Sequence, residues 1–453
     1  MFNKSRGIIF LALITLCLTC GCSAGTDSIS SVVVISDVHF NPYYDTSLFP
    51  RLLAADASEW EGIFETSPLR DPATWGSDTN YPIFKLALQS MRQNLRTSRL
   101  VINTGDFISH HFAETFYEQY GSEDQTAMKA FTLKTMKFFV GQVRAYAGGV
   151  PVMFVLGNND SYEGDYKIAP NSQFLSDTAE LFYTDSLNGM ADHQAFLASF
   201  QAGGYYAAEP LGTGMVVIGL NTVFMSTRAE SGIEAAISTE LSWLESTLAS
   251  ARTSGKKVWL LLHVPPGADI HATGGQVDER GQLTTATMHM QSNYQASLLQ
   301  ILANYSDIIK LELAGHTHMD EYRIVSSDPL EITPSISPRS GNNPAFKIIT
   351  YKNASFEPTN YASWYYDLST NPTEFHNSYI FSTSYSTQGY LDAALQNLFP
   401  ALATNTTKQT MYQNSYYSGH NASNPITSTN WPVYWCGIGK MVQQDLIDCV
   451  NAY

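Results

Sequence analysis

Apolar residues along the chain follow two rhythms. Short runs rich in β-branched residues, Ser31–Ser36 (SVVVIS), Leu100–Ile102, Val152–Leu156, Met215–Leu220 (MVVIGL), Val258–Leu262 (VWLLL) and Ile308–Leu313, have the pattern of buried strands. Between them, Phe84, Leu88, Met91 and Leu95 repeat at helical spacing. Residues around 127–146 also read as helix, and Leu241, Leu244 and Leu248 make a core-facing stripe over Ser238–Arg252. Tyr322–Val325, Phe346–Thr350 and Trp364–Leu368 predict later strands. From Asn41 to Asn80 no period is sustained and Pro, Asp, Ser and Trp dominate, which predicts a long covering loop. Beyond about Asn371 the chain is rich in Ser, Thr, Tyr and Asn, with one helical stretch near Tyr390–Leu398. Strands alternating with helices predict a layered α/β domain over residues 30–368, its sheets covered by helices, followed by a smaller C-terminal appendage over 369–453.

The residues that follow the strands carry the chemistry. They read Asp37-Val38-His39, Gly105-Asp106, Gly157-Asn158-Asn159-Asp160, His263, and Gly315-His316-Thr317-His318. Each alone has an ordinary explanation. Asp-x-His can cap a loop, Gly-Asp is a common turn, and the Gly157–Asp160 stretch suits left-handed backbone. A single His after a strand is usually a packing residue. All five in this order, just beyond strand C-termini where α/β folds place their sites, imply a shared purpose. Asp, Asn and neutral His are the mixed oxygen and nitrogen donors that suit zinc, with iron or manganese as alternatives. One carboxylate has to bridge if two divalent metal ions are held about 3.5–4 Å apart, and a water shared between them would lose a proton near neutral pH to become a nucleophile. Asp106, preceded by a glycine that allows a tight turn, is the best candidate for the bridge.

Charge and cysteine usage narrow the setting. The 453 residues carry a formal charge of −16, with 25 Lys and Arg, so nucleic acid and anionic membranes are not expected as general partners. A phosphorylated small molecule or polymer would instead be drawn by bound cations. Lys4 and Arg6 followed by the apolar Gly7–Thr19 predict an export signal within residues 1–22. Thr19-Cys20-Gly21-Cys22-Ser23 resembles a bacterial lipoprotein processing site with Cys22 acylated, which would give a lipid anchor; ordinary cleavage near Ala24 is the alternative. Three of five cysteines lie in this leader, and Cys436 and Cys449 most simply pair in an oxidising compartment.

Together, DxH, GD, GNx[DE], the lone His and GHxH resemble the calcineurin-like metallophosphoesterases. Gly315–Tyr322, Pro334–Pro338, Asn342-Asn343-Pro344, Gly204-Tyr205-Tyr206 and Asn221-Thr222 look like the acid sphingomyelinase-like phosphodiesterase branch. The likeness runs from about Val32 to Leu368. It implies a β-sandwich flanked by helices. It also implies one metal on Asp37, His39 and His318, a second on Asn158, His263 and His316, and Asp106 between them. The branch often has a His four residues after the bridging Asp, which His110 matches. It commonly has GNH where this chain has Gly157-Asn158-Asn159. Asn159 can donate a hydrogen bond but not a proton, and polyphosphate-cleaving relatives can carry GNND. The leader and the resemblance together predict an exported phosphodiesterase. Endopolyphosphatase or nucleotide pyrophosphohydrolase activity is the second reading, and an adhesion lipoprotein on a phosphoesterase scaffold is the non-enzymatic one. His111 is a weaker candidate than His110; His193, His271 and His289 are expected at the surface, with the alternative that the loop after His263 carries His271 to the cleft. Tyr412, Tyr416, Tyr417 and Tyr434 are expected in packing or at the surface rather than stacked on a lipid headgroup or base.

Overall fold

A computed structural model describes residues 28–187, 189–325, 328–420 and 425–453. The leader and Cys22 lie outside the described residues. Among the described residues twelve strands form two mixed six-stranded sheets. The first sheet runs β12-β11-β10-β1-β2-β3, built from β1 (Ile29–Ile35), β2 (Ser98–Asn103), β3 (Val152–Phe154), β10 (Ala345–Lys352), β11 (Pro358–Tyr365) and β12 (His376–Ile380). The second runs β4-β5-β6-β7-β9-β8, from β4 (Tyr206–Ala208), β5 (Met215–Gly219), β6 (Lys257–Leu261), β7 (Ile309–Ala314), β8 (Glu321–Val325) and β9 (Asp328–Ile332).

The central strands are the apolar runs of the sequence. Val32, Val33, Val34, Leu100, Val101, Ile102, Val258, Trp259 and Leu260 are fully buried, because helices cover one face of each sheet and the other sheet covers its inner face. Trp259 meets Tyr351 edge-on at 4.9 Å, and the Tyr206 hydroxyl reaches the Phe154 backbone, so the sheets are joined through their inner faces. Strands β1, β2 and β3 are parallel, as are β5, β6 and β7. Their C-terminal ends therefore open on one edge of each sheet. The helices Tyr81–Gln93, Gln125–Ala147 and Glu234–Thr253 stand where the helical periods fall.

Two regions depart from the expected pattern. Residues 41–80 are not a plain loop: the short helices Phe49–Ala54 and Trp60–Phe64 pack Phe49, Leu52, Trp60 and Phe64 into the core. Asp45 caps the turn Thr46–Leu48, and Asp56 with Glu59 forms a capping box ahead of the second helix. Helices of five or six residues are too short to show a period. In the tail, His376–Ile380 pairs antiparallel with β11, so the first sheet continues past residue 368. Trp364–Leu368 supplies only the end of β11. Four longer helices follow, Leu391–Leu402, Thr406–Tyr416, Trp431–Gly439 and Gln443–Ala452. Cys436 and Cys449 are disulfide-bonded with Cα atoms 6.0 Å apart. Among the described residues no helix is long and apolar enough to cross a membrane.

Candidate metal centre

The loops after β1, β2, β3, β6 and β7 converge, and their backbones are unusual. Asp37, His39, Asp106, His316 and His318 all have positive φ, between 45° and 75°. Non-glycine residues rarely sit there, and each costs of order 1–3 kcal/mol unless its surroundings impose it. Two glycines let the loops close. A side chain at Gly157 would overlap the Asp106 carboxylate and backbone, and one at Gly315 would overlap the Ser36 and Asp37 side chains. Asp160 then ties two loops together. One of its oxygens accepts from Asp106 N at 2.9 Å and Gly157 N at 2.8 Å, the other from Phe107 N at 2.8 Å.

Within this frame the acceptor atoms face one another. His39 Nδ1 lies 3.2 Å from the Ile108 carbonyl, which makes Nδ1 the donor and leaves a lone pair on Nε2. That Nε2 sits 3.2 Å from His318 Nε2 and 3.3 Å from Asp106 Oδ2. His263 Nδ1 likewise donates to the Thr104 carbonyl at 2.7 Å. Its Nε2 then points at Asn158 Oδ1, 3.0 Å away, and at Asp106 Oδ2, 3.4 Å away. Asn158 Nδ2 donates to Asp165, which fixes Oδ1 as the oxygen turned inward. Asp37 Oδ1 is 3.6 Å from His318 Nε2. Asp106 Oδ2 thus stands between the two sets. His316 donates its backbone N–H to Asp37, and its Nε2 is 3.0 Å from the Tyr166 hydroxyl, so Nδ1 is the nitrogen left for a metal. All seven residues expected as ligands are gathered here. Asp37, His39 and Asp106 bring ligand atoms within 4.8 Å of one another, and so do His39, His110 and His318.

Buried lone pairs pressed together at such distances are costly without a cation between them. The protonation states of two of the histidines suit ligation. Burial drives His39 and His318 down to about 4, leaving both neutral and able to bind metal. Burial also acts on Asp106, but His263 and His39 outweigh it and hold the carboxyl well below its usual range. His263 is lowered by burial and raised more strongly by Asp106 and Asp37, ending at about 9. A divalent cation would replace that proton. The residues present therefore fit a pair of metal ions.

His110 and Asn159 both flank this centre. His110 stacks on His39 at 4.0 Å, and its Nδ1 binds Asp78 at 2.8 Å, while its backbone N–H donates to the same carboxylate. Burial lowers His110, but the Asp78 hydrogen bond and charge raise it above its ordinary value. Asn159 turns inward: its backbone N–H donates to Asp106 Oδ1 at 2.7 Å and its amide to Oδ2 at 3.0 Å. His111 is exposed, in a left-handed turn before the helix Phe112–Tyr120.

A cleft of about 370 Å³ lies over the centre. Asp165, Tyr166, Arg228, His271 and His289 line it beside the ligand candidates. His289 is a correction to its expected surface position: it is buried with Nε2 unpartnered, its ring 5.0 Å from that of His316. Isolated bridges Ser226–Met290 and Ala268–Met288 hold its segment over the site, a placement with no local pattern in the sequence. His271 also lies at the cleft and meets the Tyr417 hydroxyl at 2.8 Å. Asp78 was missed, because it stands in the aperiodic stretch with no neighbouring ligand motif. His193 is partly exposed and pairs with Glu180.

Strand-end loops that gather Asp, Asn and His above a two-sheet core define a metal-dependent phosphoesterase. Residues 30–320 match the family model of the calcineurin-like phosphoesterases, and the chain belongs to that family. It is 24% identical over 347 residues to a sphingomyelinase phosphodiesterase C of Dictyostelium discoideum, covering 69% of this chain and 71% of that protein. To a cyclic GMP-AMP phosphodiesterase of Mus musculus it is 22% identical, covering 92% of this chain and 91% of the other. Among solved structures it is similar to a dimetal phosphatase from Danio rerio, with a TM-score of 0.41 and 12% identity over 77% of this chain and 98% of that one.

Proposed function

We propose that the protein hydrolyses a phosphodiester, with two divalent metal ions held by Asp37, His39 and His318 on one side and Asn158, His263 and His316 on the other, and Asp106 shared. The observation that carries this is the pair of facing acceptors, His39 against His318 and His263 against Asn158, with Asp106 Oδ2 between. Zinc suits these nitrogen and oxygen donors, with iron or manganese as alternatives. When bound, such ions polarise the phosphoryl oxygens and lower the pKa of a water at the site. Water is the nucleophile. A phosphorus–oxygen bond to it forms as the bond to the leaving group breaks, and configuration at phosphorus inverts. His110 is placed to give the departing oxygen its proton, steered by Asp78. Asn159 holds the Asp106 carboxylate and can donate a hydrogen bond, but supplies no proton. The leader supports an exported protein, anchored by lipid at Cys22 or released; phosphorylated small molecules or polymers are the partners.

Asn159 also supports a second reading, in which the bond cleaved is a phosphoanhydride of a nucleotide or polyphosphate. Phosphate leaves without needing an acid, whereas an alcohol gains about 10²- to 10⁴-fold from one. Product analysis on purified, metal-replete protein with sphingomyelin, a synthetic diester, ATP and long-chain polyphosphate separates the two, with Asp106→Asn as the blank. Hydrolysis of one class above the blank is expected. Equal turnover by Asp106→Asn would put the hydrolysis outside this centre and remove both readings. A biological function untouched by Asp106→Asn would favour the adhesion role, and net retention at a chiral thiophosphate would remove direct attack.

A further inference from the structure

The wall of the cleft carries a charged group that the reaction at the metals does not use. Arg228 is the only lysine or arginine among the described residues that line it. Its guanidinium lies 4.3 Å from the centroid of the Tyr166 ring and binds Asp165 Oδ2 at 2.7 Å. Both supports lead to the metal centre. Asp165 accepts from Asn158 Nδ2 at 2.7 Å through its other oxygen, and the Tyr166 hydroxyl is 3.0 Å from His316 Nε2. Arg228 is therefore one tyrosine ring away from a ligand candidate. The side chain lines the cleft and remains 64% exposed, so N–H donors of its five stay open to solvent there.

This arrangement bears on what can sit beside the scissile phosphate. A quaternary ammonium such as choline is bound by the faces of aromatic rings. Tyr166 is the only Phe, Tyr or Trp among the described lining residues, and Arg228 already covers its face. A choline headgroup would meet a cation where it needs a ring. A second phosphoryl group would meet a planar donor fork matched to its oxygens. In a chain of net charge −16, one cation inside the cleft is a local exception to the surface field.

We propose that Arg228 is the specificity-determining residue of this site, its guanidinium receiving a second phosphoryl group next to the scissile one, with Asp165 and Tyr166 holding it in place. The site thereby favours phosphoanhydrides over phosphocholine esters. This inference rests on the second, phosphoanhydride reading above and favours it over the phosphodiester one.

The test compares wild type, Arg228→Gln and Arg228→Lys on ATP and on bis(p-nitrophenyl) phosphate, a diester without a second charge. Charge-assisted hydrogen bonds of this kind carry roughly a tenfold effect or more. In Arg228→Gln the ratio of kcat/KM for ATP over the diester is expected to fall about tenfold, mostly through KM, with Arg228→Lys intermediate. A parallel fall on both substrates, or none on ATP, would overturn the proposal. So would wild-type preference for sphingomyelin over ATP. If the wild type cleaves nothing, the functional reading fails separately, and calorimetric binding of methylenebisphosphonate still decides on Arg228. About tenfold weaker binding by Arg228→Gln, with inorganic phosphate binding less affected, supports the subsite; equal binding by both proteins overturns it.

Discussion

Asp78 and His110 show how one buried carboxylate sets the task of a neighbouring side chain. Asp78 receives both the ring and the backbone N–H of His110, so it fixes the tautomer as well as the charge. The raised His110 keeps its proton to higher pH than a free imidazole would. An acid that must be protonated works below its pKa, so hydrolysis of alcohol-leaving diesters should decline as pH rises through that value. Asp78→Asn removes the raising partner. The alkaline limb of the kcat profile should then move to lower pH, and an unmoved limb would assign the acid to another group. His110→Ala should slow diester turnover about 10²-fold or more if it is the acid. It should slow anhydride cleavage much less, and measuring both substrates in one preparation reads the difference.

At the scale of elements, loop closure is what makes a site from strand ends. Gly157 and Gly315 stand where a β-carbon would overlap ligand side chains, and Asp160 satisfies backbone N–H groups from two loops at once. Gly157→Ala should cost about 1–3 kcal/mol through overpacking, and should displace Asp106 so that bound metal per chain falls. Elemental analysis after dialysis, beside a melting curve, separates the two effects; full metal content would mean the loop tolerates the β-carbon. The same contrast explains what the sequence could reveal. Strands covered on both faces write continuous apolar runs, and each ligand candidate directly follows such a run or ends a short motif behind it. The order of the seven candidates that the loops bring together was therefore legible, as was the helical cover. Short helices over 41–80 depend on caps and on burial of Trp60 and Phe64, which a periodicity cannot register. Asp78 lies in that stretch. His289 and Arg228 reach the cleft through bridges between distant segments, a tertiary fact with no local trace.

Across the whole molecule, the tail is bound into the sandwich that it follows. Its first strand, His376–Ile380, edges the sheet that carries Asp37 and Asp106. Tyr416 accepts the Asp320 backbone N–H two residues after His318, and Tyr417 meets His271 at the cleft. The helix Trp431–Gly439 closes on the cleft wall, where Gly437 lies against Ile270 and Tyr434 against Gly274. Cys436 in that helix is joined to Cys449 in the next across 13 residues. In the chain-entropy view a loop of this size contributes about 3 kcal/mol, so Cys436→Ser with Cys449→Ser should lower the melting temperature by several degrees, and an unchanged melt would mean that packing alone holds the two helices. The stronger expectation concerns a chain ending at residue 368, where the composition changes. Removing the tail would uncover Tyr322, Tyr361 and Ile270, which are buried now, and would leave β11 as a bare edge able to pair with other chains. Such a chain should be insoluble, or should bind metal weakly and lose its cooperative melt. If it were soluble, melted cooperatively and hydrolysed substrate like the full protein, the tail would be a separate appendage. The shared sheet and the helix against the cleft wall argue instead that the catalytic fold needs it.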